Sequence, residues 1–519
     1  MKKNLFYYYN LENIRKAIFF LALPAIFSLF LLMSYNFFNS YFIVHNVSKK
    51  KAVFVESGLN FSNLVYVIML GFSMLIGVGV TTTLSRYFAK SDKNLPSNYI
   101  SSIVYFIFFY TIIITLILYF LVPQLAKIQN INAISGRENV TENVSTYFSR
   151  TQIFGLFFFN FSIILNFVIR SENKILQPIA LSIIICAINV FLLWVFLPLV
   201  KDKNFFNIYS PDPENQKIYL CVIWAAICNI ISWICGVLLY VTTIYYNRIK
   251  KFSYLNFFNK VPLKDFFYFQ KITMQYGLTS FGRNMGNAAI IFLTNFCLRK
   301  WGTVPYGSIV DLQGHKSDLI LPSTYWQSVY AVISVLIVVT STPIFGTMQA
   351  TRNYILYNWT KKKHQVCKSA INKATIFIFS YYLLIFLFFA AFGFKIGLLW
   401  HLQNGNIQTT QGHQVKFPFI QTHFYHALLI TFSCTFLYTF TLISMPFYLT
   451  IKKIYLSIFV GWFRSVLLEL PLIILISLIS WHYQNIWIIW SSYPLMDIIA
   501  ALLIIPLYIY NYRKYLLKV

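Results

Sequence analysis

The chain has 519 residues, of which 58% are hydrophobic, 19% aromatic and only 11% charged. That is too little charge to cover the surface of a soluble fold of this length, and no polar stretch is long enough for a separate soluble domain. A formal charge of +28 would suggest a nucleic-acid partner only if a folded soluble module carried it, and none is visible.

Crossing the hydrocarbon core takes about 20 helical residues, and apolar runs of that length recur throughout. A charged, amphipathic cytoplasmic leader (1–16) is followed by twelve predicted spans: 17–44, 57–83, 100–122, 151–169, 179–200, 218–245, 275–298, 325–346, 371–393, 424–447, 455–480 and 486–509. The first run is longer than the ~7–15 apolar residues of a cleavable signal, so it is expected to be a retained helix. An even number of spans leaves both termini on one side. Of the 42 Lys and Arg, 26 fall on the leader's side, 14 on the other, and Arg283 and Arg464 lie within helices. The positive-inside rule then makes both termini cytoplasmic, and attraction to anionic lipid heads absorbs more of the charge.

The loop 246–274 is the longest connection on that side and lies at the midpoint of the chain. It divides the spans into an N-lobe (17–245) and a C-lobe (275–509), with a cytoplasmic tail at 510–519. Two bundles joined by a linker are a frequent plan among secondary transporters. The second span ends "TTTLSRYFAKSDK" and the eighth "TSTPIFGTMQATRN", an echo that fits an internal repeat.

Cys221, Cys228 and Cys235 recur every seven residues on one predicted helix. They read as small packing residues rather than a metal site, and nothing suggests a disulfide framework. His401, His413, His423 and His426 gather around the loop before the tenth span and read as a solvated outer loop. No metal and no cofactor is expected. HExxH, GxSxG and DxD motifs are absent, so no enzyme is expected either.

Several segments in order resemble the multidrug and toxic compound extrusion (MATE) family, within the multidrug/oligosaccharidyl-lipid/polysaccharide exporter (MOP) superfamily. They are "LALPAI" and "YNFFNSYFIV" in the first span, "GFSMLIGVGVTTTLSRYFAKSDK", "NFVIRSENK", "PIFGTMQATRN", "WFRSVLLELPL" and "IWIIWSSYPLMD". The resemblance implies an all-α polytopic protein with two six-helix lobes forming a V around a central cleft. It implies a cation-coupled antiporter that exports amphipathic organic cations by alternating access, driven by protons or sodium. A related branch of the superfamily moves lipid-linked sugars, so a flippase is the alternative; Arg283 with Arg464 would supply its cationic cleft. A scaffold or receptor would need neither two lobes nor buried carboxylates. The remaining expectations are a monomer acting on a small-molecule substrate among membrane lipids, in a bacterial plasma membrane. The polar insertion at 303–323 is not expected of the family.

Coupling needs a group within the membrane that binds a cation, and a buried carboxylate is the usual choice. Of the 14 acids, only Glu469 and Asp497 fall inside predicted spans. Asn39 stands where the family commonly carries an aspartate, and Leu193, four residues after Asn189, is also no acid. The resemblance therefore finds no carboxylate site in the N-lobe; Asn36, Asn39 and Asn189 remain polar candidates for the cleft, or interhelical hydrogen-bonding residues. Arg464 and Asp497 match in depth on sequential spans and are expected to pair. Arg464 and Glu469 are five apart, which on an α-helix puts them on different faces. Arg283 competes as a partner for either acid. Elimination leaves Glu469 as the first candidate for the coupling group and Asp497 as the second; four fixed structural charges are the alternative.

A reporter fused within the midpoint loop is expected to read as cytoplasmic. Periplasmic phosphatase activity from that fusion would overturn both the orientation and the six-plus-six division.

Overall fold

The computed structural model of the protein describes residues 13–47, 52–89, 94–129, 140–172, 174, 176–200, 212–250, 253, 255–257, 259–301, 310–311, 322–399, 406–408, 414–416 and 419–517. The first lobe comprises α1 (Ile14–Asn46), α2 (Ala52–Phe88), α3 (Asn94–Gln129), α4 (Val140–Phe154), α5 (Leu156–Ser171), α6 (Leu176–Val200) and α7 (Pro213–Ile249). The second comprises α8 (Leu263–Trp301), α9 (Pro322–Thr360), α10 (His364–Leu399), α11 (Ile420–Phe432), α12 (Tyr438–Thr450), α13 (Ile454–Trp462), α14 (Glu469–His482), α15 (Trp487–Trp490) and α16 (Ser492–Tyr512).

Among the described residues, nine helical segments are long and apolar enough to cross a membrane, and α4 with α5, bent by 60°, makes a tenth. The helices α1 and α8, of 33 and 39 residues, run in the same bundle. With α11–α12, α13–α14 and α15–α16 each counted as one segment and α1 and α8 added, the described residues hold twelve helical segments, six in each lobe.

The helices outrun the hydropathy windows because polar turns extend them beyond the apolar core. α7 starts at Pro213, a residue suited to the first helical position, and the Asp212 side chain caps it by accepting from Glu214 N at 2.9 Å. α8 starts at Leu263 with Asp265 in its first turn, where the helix dipole favours an acid. The connection between lobes is therefore 250–262, shorter than the 246–274 expected. The fourth span is not one straight helix. It breaks at Gly155, where an added Cβ would fall 2.6 Å from Ile230 Cγ1 of α7, so the close approach needs glycine.

Three short strands were not foreseen. β1 (Val310–Asp311), β2 (Asn406–Gln408) and β3 (Gln414–Lys416) form an antiparallel sheet in the order β1-β3-β2. β1 belongs to the polar insertion at 303–323, most of which lies outside the described residues.

The lobes meet along two seams, α2 against α8 and α1 against α9. Both are backbone-close. A Cβ on Gly277 would lie 1.7 Å from the Leu75 carbonyl oxygen, one on Gly79 2.2 Å from that of Thr273, and one on Gly346 2.6 Å from Ile26 N. Membrane helices associate through such small-residue contacts because lipid offers no hydrophobic drive between them. The seams are sealed at the end of the bundle that carries the termini. There Ala17, Leu21 and Ala22 pack on Ala350, Tyr354 and Tyr357, and Arg86 donates to the Tyr276 hydroxyl and the Leu449 carbonyl.

The inter-lobe connection is pinned to α3. Asn256 N donates to Ser97 Oγ at 3.2 Å, Asn259 N to Ser101 Oγ at 3.0 Å, and Asn259 Nδ2 to Asn98 Oδ1 at 2.9 Å. Glu172, just past α5, accepts from Ser253 and Lys174. Burial pushes its carboxyl pKa up, against the pull of Lys174.

Gly277→Val is expected to lower the melting temperature of the purified protein by several degrees, since overpacking of this kind costs about 1–3 kcal/mol. Thermal unfolding followed by size-exclusion chromatography reads this directly; an unchanged melting point would show that the seam yields.

Candidate functional site

A cavity of about 490 Å³ opens between the lobes. The first lobe contributes Phe30 and Ser34 of α1 and Asn60 and Asn63 of α2. The second contributes Arg283, Asn284 and Asn287 of α8, Tyr330, Phe345 and Gln349 of α9, and a group formed by Tyr382, Tyr438, Arg464, Glu469, Tyr493 and Asp497. These positions run from the middle of the bundle toward the end away from the termini, so the cavity lies on the far side of the sealed seams.

The acidic group depends on a local break in helix geometry. Between α13 and α14, residues Phe463–Leu468 form a π-helical turn in which Glu469 N donates to the Arg464 carbonyl. Pro471 has no N–H to offer the carbonyls one turn before it, and the ladder ahead of it runs at a spacing of five. A five-residue spacing carries Glu469 back over Arg464. The expectation that the two face apart is therefore corrected: it holds for an α-helix and fails on a π turn. Arg464 Nε donates to Asp497 Oδ1 at 2.8 Å, and Arg464 Nη1 lies 3.7 Å from Glu469 Oε2. The guanidinium also lies 3.8 Å from the centre of the Tyr438 ring, an attractive cation–π geometry.

α8 makes room for this turn. Its "GRNMG" run, Gly282–Gly286, is a GxxxG pair. A Cβ on Gly282 would lie 1.9 Å from Trp462 Nε1, and one on Gly286 2.4 Å from Ser465 Cβ. Trp462 Nε1 donates to the Leu278 carbonyl at 3.0 Å. The motif is readable in the sequence but went unused there.

Glu469 is 3% and Asp497 2% exposed, and Glu469 Oε2 and Asp497 Oδ2 make no hydrogen bond. One guanidinium thus serves two buried carboxylates, each with an oxygen left over. Arg283 does not take the role of competing partner. It lies 4.1 Å over the Phe345 ring, with Nη1 3.7 Å from Met348 Sδ, and faces the cavity.

Of the predicted first-lobe amides, Asn39 and Asn189 do not line the cavity. Asn39 is 1% exposed, and neither amide atom has a hydrogen-bond partner. Asn189 Nδ2 donates to Asn229 Oδ1 at 2.8 Å and reaches Ser232 Oγ at 3.4 Å, a bridge from α6 to α7. Leu193 is fully buried in an apolar cluster with Cys221 and Cys228. The side chains of Asn36 and Pro24 lie outside the described residues.

His423 is not solvated as expected. It hydrogen-bonds the Tyr325 hydroxyl through Nδ1 at 2.7 Å and stacks on Trp326. His426 is exposed, and His401 and His413 lie outside the described residues. Among the described residues no three His, Cys, Asp or Glu side chains are placed to hold a metal.

Two arginines were missed. Arg170 and Arg352 count as loop charges by hydropathy, yet they lie within α5 and α9. Hydropathy windows close at the first charged residue, whereas "QATRN" continues the helical hydrogen bonding for a further two turns.

Two six-helix lobes around a central cavity with charges buried on its wall define a multi-pass, all-α membrane architecture. Residues 24–195 match the MatE family model, and the chain as a whole has the MATE fold. It superposes on a MATE structure solved with MaL6 with a TM-score of 0.74, at 15% identity over 100% of both chains. It is similar to a multidrug resistance MATE family transporter of the MOP superfamily in an outward-facing conformation, with a TM-score of 0.71 and 16% identity over 99% of each chain. A MOP superfamily transporter from Pyrococcus furiosus, described as having a binding pocket of reverse polarity that suggests a different function, matches with a TM-score of 0.70 and 15% identity over 98% of each chain. No curated protein matches by sequence.

Removing one member of the Arg464–Asp497 pair strands the other charge in the core, which typically costs about 3–5 kcal/mol. Arg464→Ala and Asp497→Ala are each expected to lower the yield and melting temperature of folded protein, and the double variant to recover much of the loss. Equal damage in single and double variants would show that the pair is not a structural unit.

Proposed function

We propose that the protein is a secondary active transporter, not an enzyme, that exports an amphipathic cargo by alternating access in exchange for protons or sodium. The observation that carries this reading is Glu469, a buried carboxylate on the wall of the inter-lobe cavity with an oxygen that makes no hydrogen bond. Such a group can take up a cation from one side and give it up on the other. Arg464 supports the exchange. When a cation neutralises Glu469, the guanidinium remains bound to Asp497, so the charge of the cluster changes while its scaffold persists.

The sealed seams lie at the end that carries the termini. With both termini cytoplasmic, as the distribution of Lys and Arg supports, this is an outward-facing state. Opening the inner end means parting α1 from α9 and α2 from α8 while the cavity closes on the other side. The setting we propose is a bacterial plasma membrane, with the chain acting as a monomer among lipids.

Organic cations are the cargo that the family resemblance implies, and the cavity's rings, Phe30, Tyr330, Phe345 and Tyr438 among them, suit flat cations by stacking. A second cargo reading, a lipid-linked or otherwise anionic amphiphile, is favoured by Arg283, a cavity-facing guanidinium that pairs with no carboxylate among the described residues.

In proteoliposomes with an imposed proton or sodium gradient, uptake of an ethidium-like cation is expected under one of the two. Glu469→Gln is expected to reduce the gradient-driven rate at least tenfold while leaving cargo–cargo exchange measurable. Undiminished gradient-driven transport by the variant would remove Glu469 as the coupling group. No transport under either gradient would move the reading to the anionic cargo.

A further inference from the structure

The coupling chemistry leaves a group of buried guanidiniums unused. Arg283 and Arg352 are 3% and 2% exposed, and Arg170 is partly buried. One face of α9 gathers all three, because Phe345, Met348, Gln349 and Arg352 follow the i, i+3, i+4, i+7 spacing of a helix face. Arg283 of α8 lies over Phe345 and against Met348. Arg170 of α5 donates from Nη1 to Gln349 Oε1 at 3.1 Å. Arg352 donates from Nη2 to Thr81 Oγ1 of α2 at 3.0 Å and feels the charge of both other guanidiniums. Helices of both lobes thus converge on one positive centre.

No carboxylate pairs with any of the three among the described residues, and the Nε–H of each makes no hydrogen bond. Gathering like charges away from water is unfavourable on two counts, desolvation and mutual repulsion. Donors without acceptors add a third. A bound oxyanion would offset all of these, and guanidinium is the side chain best shaped for it, since its planar fork matches two phosphate oxygens at once. The position is reachable: Arg283 and Gln349 both line the inter-lobe cavity. Arg283 lines the cavity itself, Arg170 lines a smaller pocket that shares Met74 with it, and Arg352 lies one turn beyond Gln349 on α9; guanidiniums gathered on that side without a carboxylate among the described residues favour an anion there.

We propose that Arg170, Arg283 and Arg352 form an oxyanion site that holds the phosphate group of an amphiphilic cargo at the floor of the cavity, with the apolar part of the cargo against the aromatic walls above. The site deepens the second cargo reading. It rests on the transporter reading only for the cargo being carried, because binding can be measured with no gradient present.

The test is isothermal titration of the full chain in nanodiscs of zwitterionic lipid, with hexyl phosphate, inorganic phosphate and hexyltrimethylammonium as probes. Hexyl phosphate is expected to bind saturably, inorganic phosphate to compete at higher concentration, and hexyltrimethylammonium not to compete. Arg283→Gln and Arg352→Gln are expected to weaken hexyl phosphate at least tenfold. Arg283→Lys, which keeps the charge and loses the fork, is expected to weaken it severalfold and serves if the Gln variants do not fold. Wild-type affinity in all three folded variants, or no binding of hexyl phosphate at all, would overturn the site. Inorganic phosphate binding as tightly as hexyl phosphate would overturn the amphiphilic cargo. A failure on any of these counts leaves the Glu469 coupling experiment to be judged by itself.

Discussion

A carboxylate in a membrane interior must find its counter-charge inside the protein, and in this molecule Arg464 supplies it twice. The guanidinium binds Asp497 directly, lies near Glu469 and rests on the Tyr438 ring. That arrangement requires the π turn, the π turn requires space on α8, and the Gly282–Gly286 pair supplies the space. Change any of these and two acids lose the charge that makes them tolerable in hydrocarbon. The second lobe is organised around that demand.

The first lobe obeys a different one. Apart from Arg170, which reaches across to Gln349, its polar interior is built largely from amides and hydroxyls, with Asn189, Asn229 and Ser232 linking α6 to α7 and Asn166 linking to Tyr240. Such groups hold helices together without changing charge. The lobes are alike in helix count and unlike in chemistry: the second buries two carboxylates beside Arg464, while the first presses its backbone against α8 and α9 at Gly79 and Ile26.

The fold was largely legible because apolar runs of membrane length admit few alternatives. The all-helical, many-crossing architecture and the depth match of Arg464 with Asp497 follow from sequence position. What escaped was set by features that averages over a window cannot see. The approach of Glu469 to Arg464 needs a change of helical period that follows Pro471. The break at Gly155 is a packing event with Ile230 of another helix. Arg170 and Arg352 lie just past the apolar runs, where charge marks an edge by composition, although α5 and α9 continue through them. The short sheet joins segments about a hundred residues apart, and nothing in either strand names the other. Asn39, expected from the resemblance to stand in for an acid, is buried where its surroundings offer its amide no partner.

The pinned connection between the lobes sets a mechanical limit. Asn259 is fastened to α3 through Ser101 and Asn98, and α8 begins at Leu263. Four residue steps, fully extended, span roughly 13–14 Å. While the anchor holds, the start of α8 cannot travel farther than that from α3. With the anchor in place, a tilt about the linker end is geometrically allowed and a wide parting of the bundles there is not. The reach of the second lobe at this end is then a matter of leash length, fixed by a handful of serine and asparagine side chains that lie outside the inter-lobe cavity.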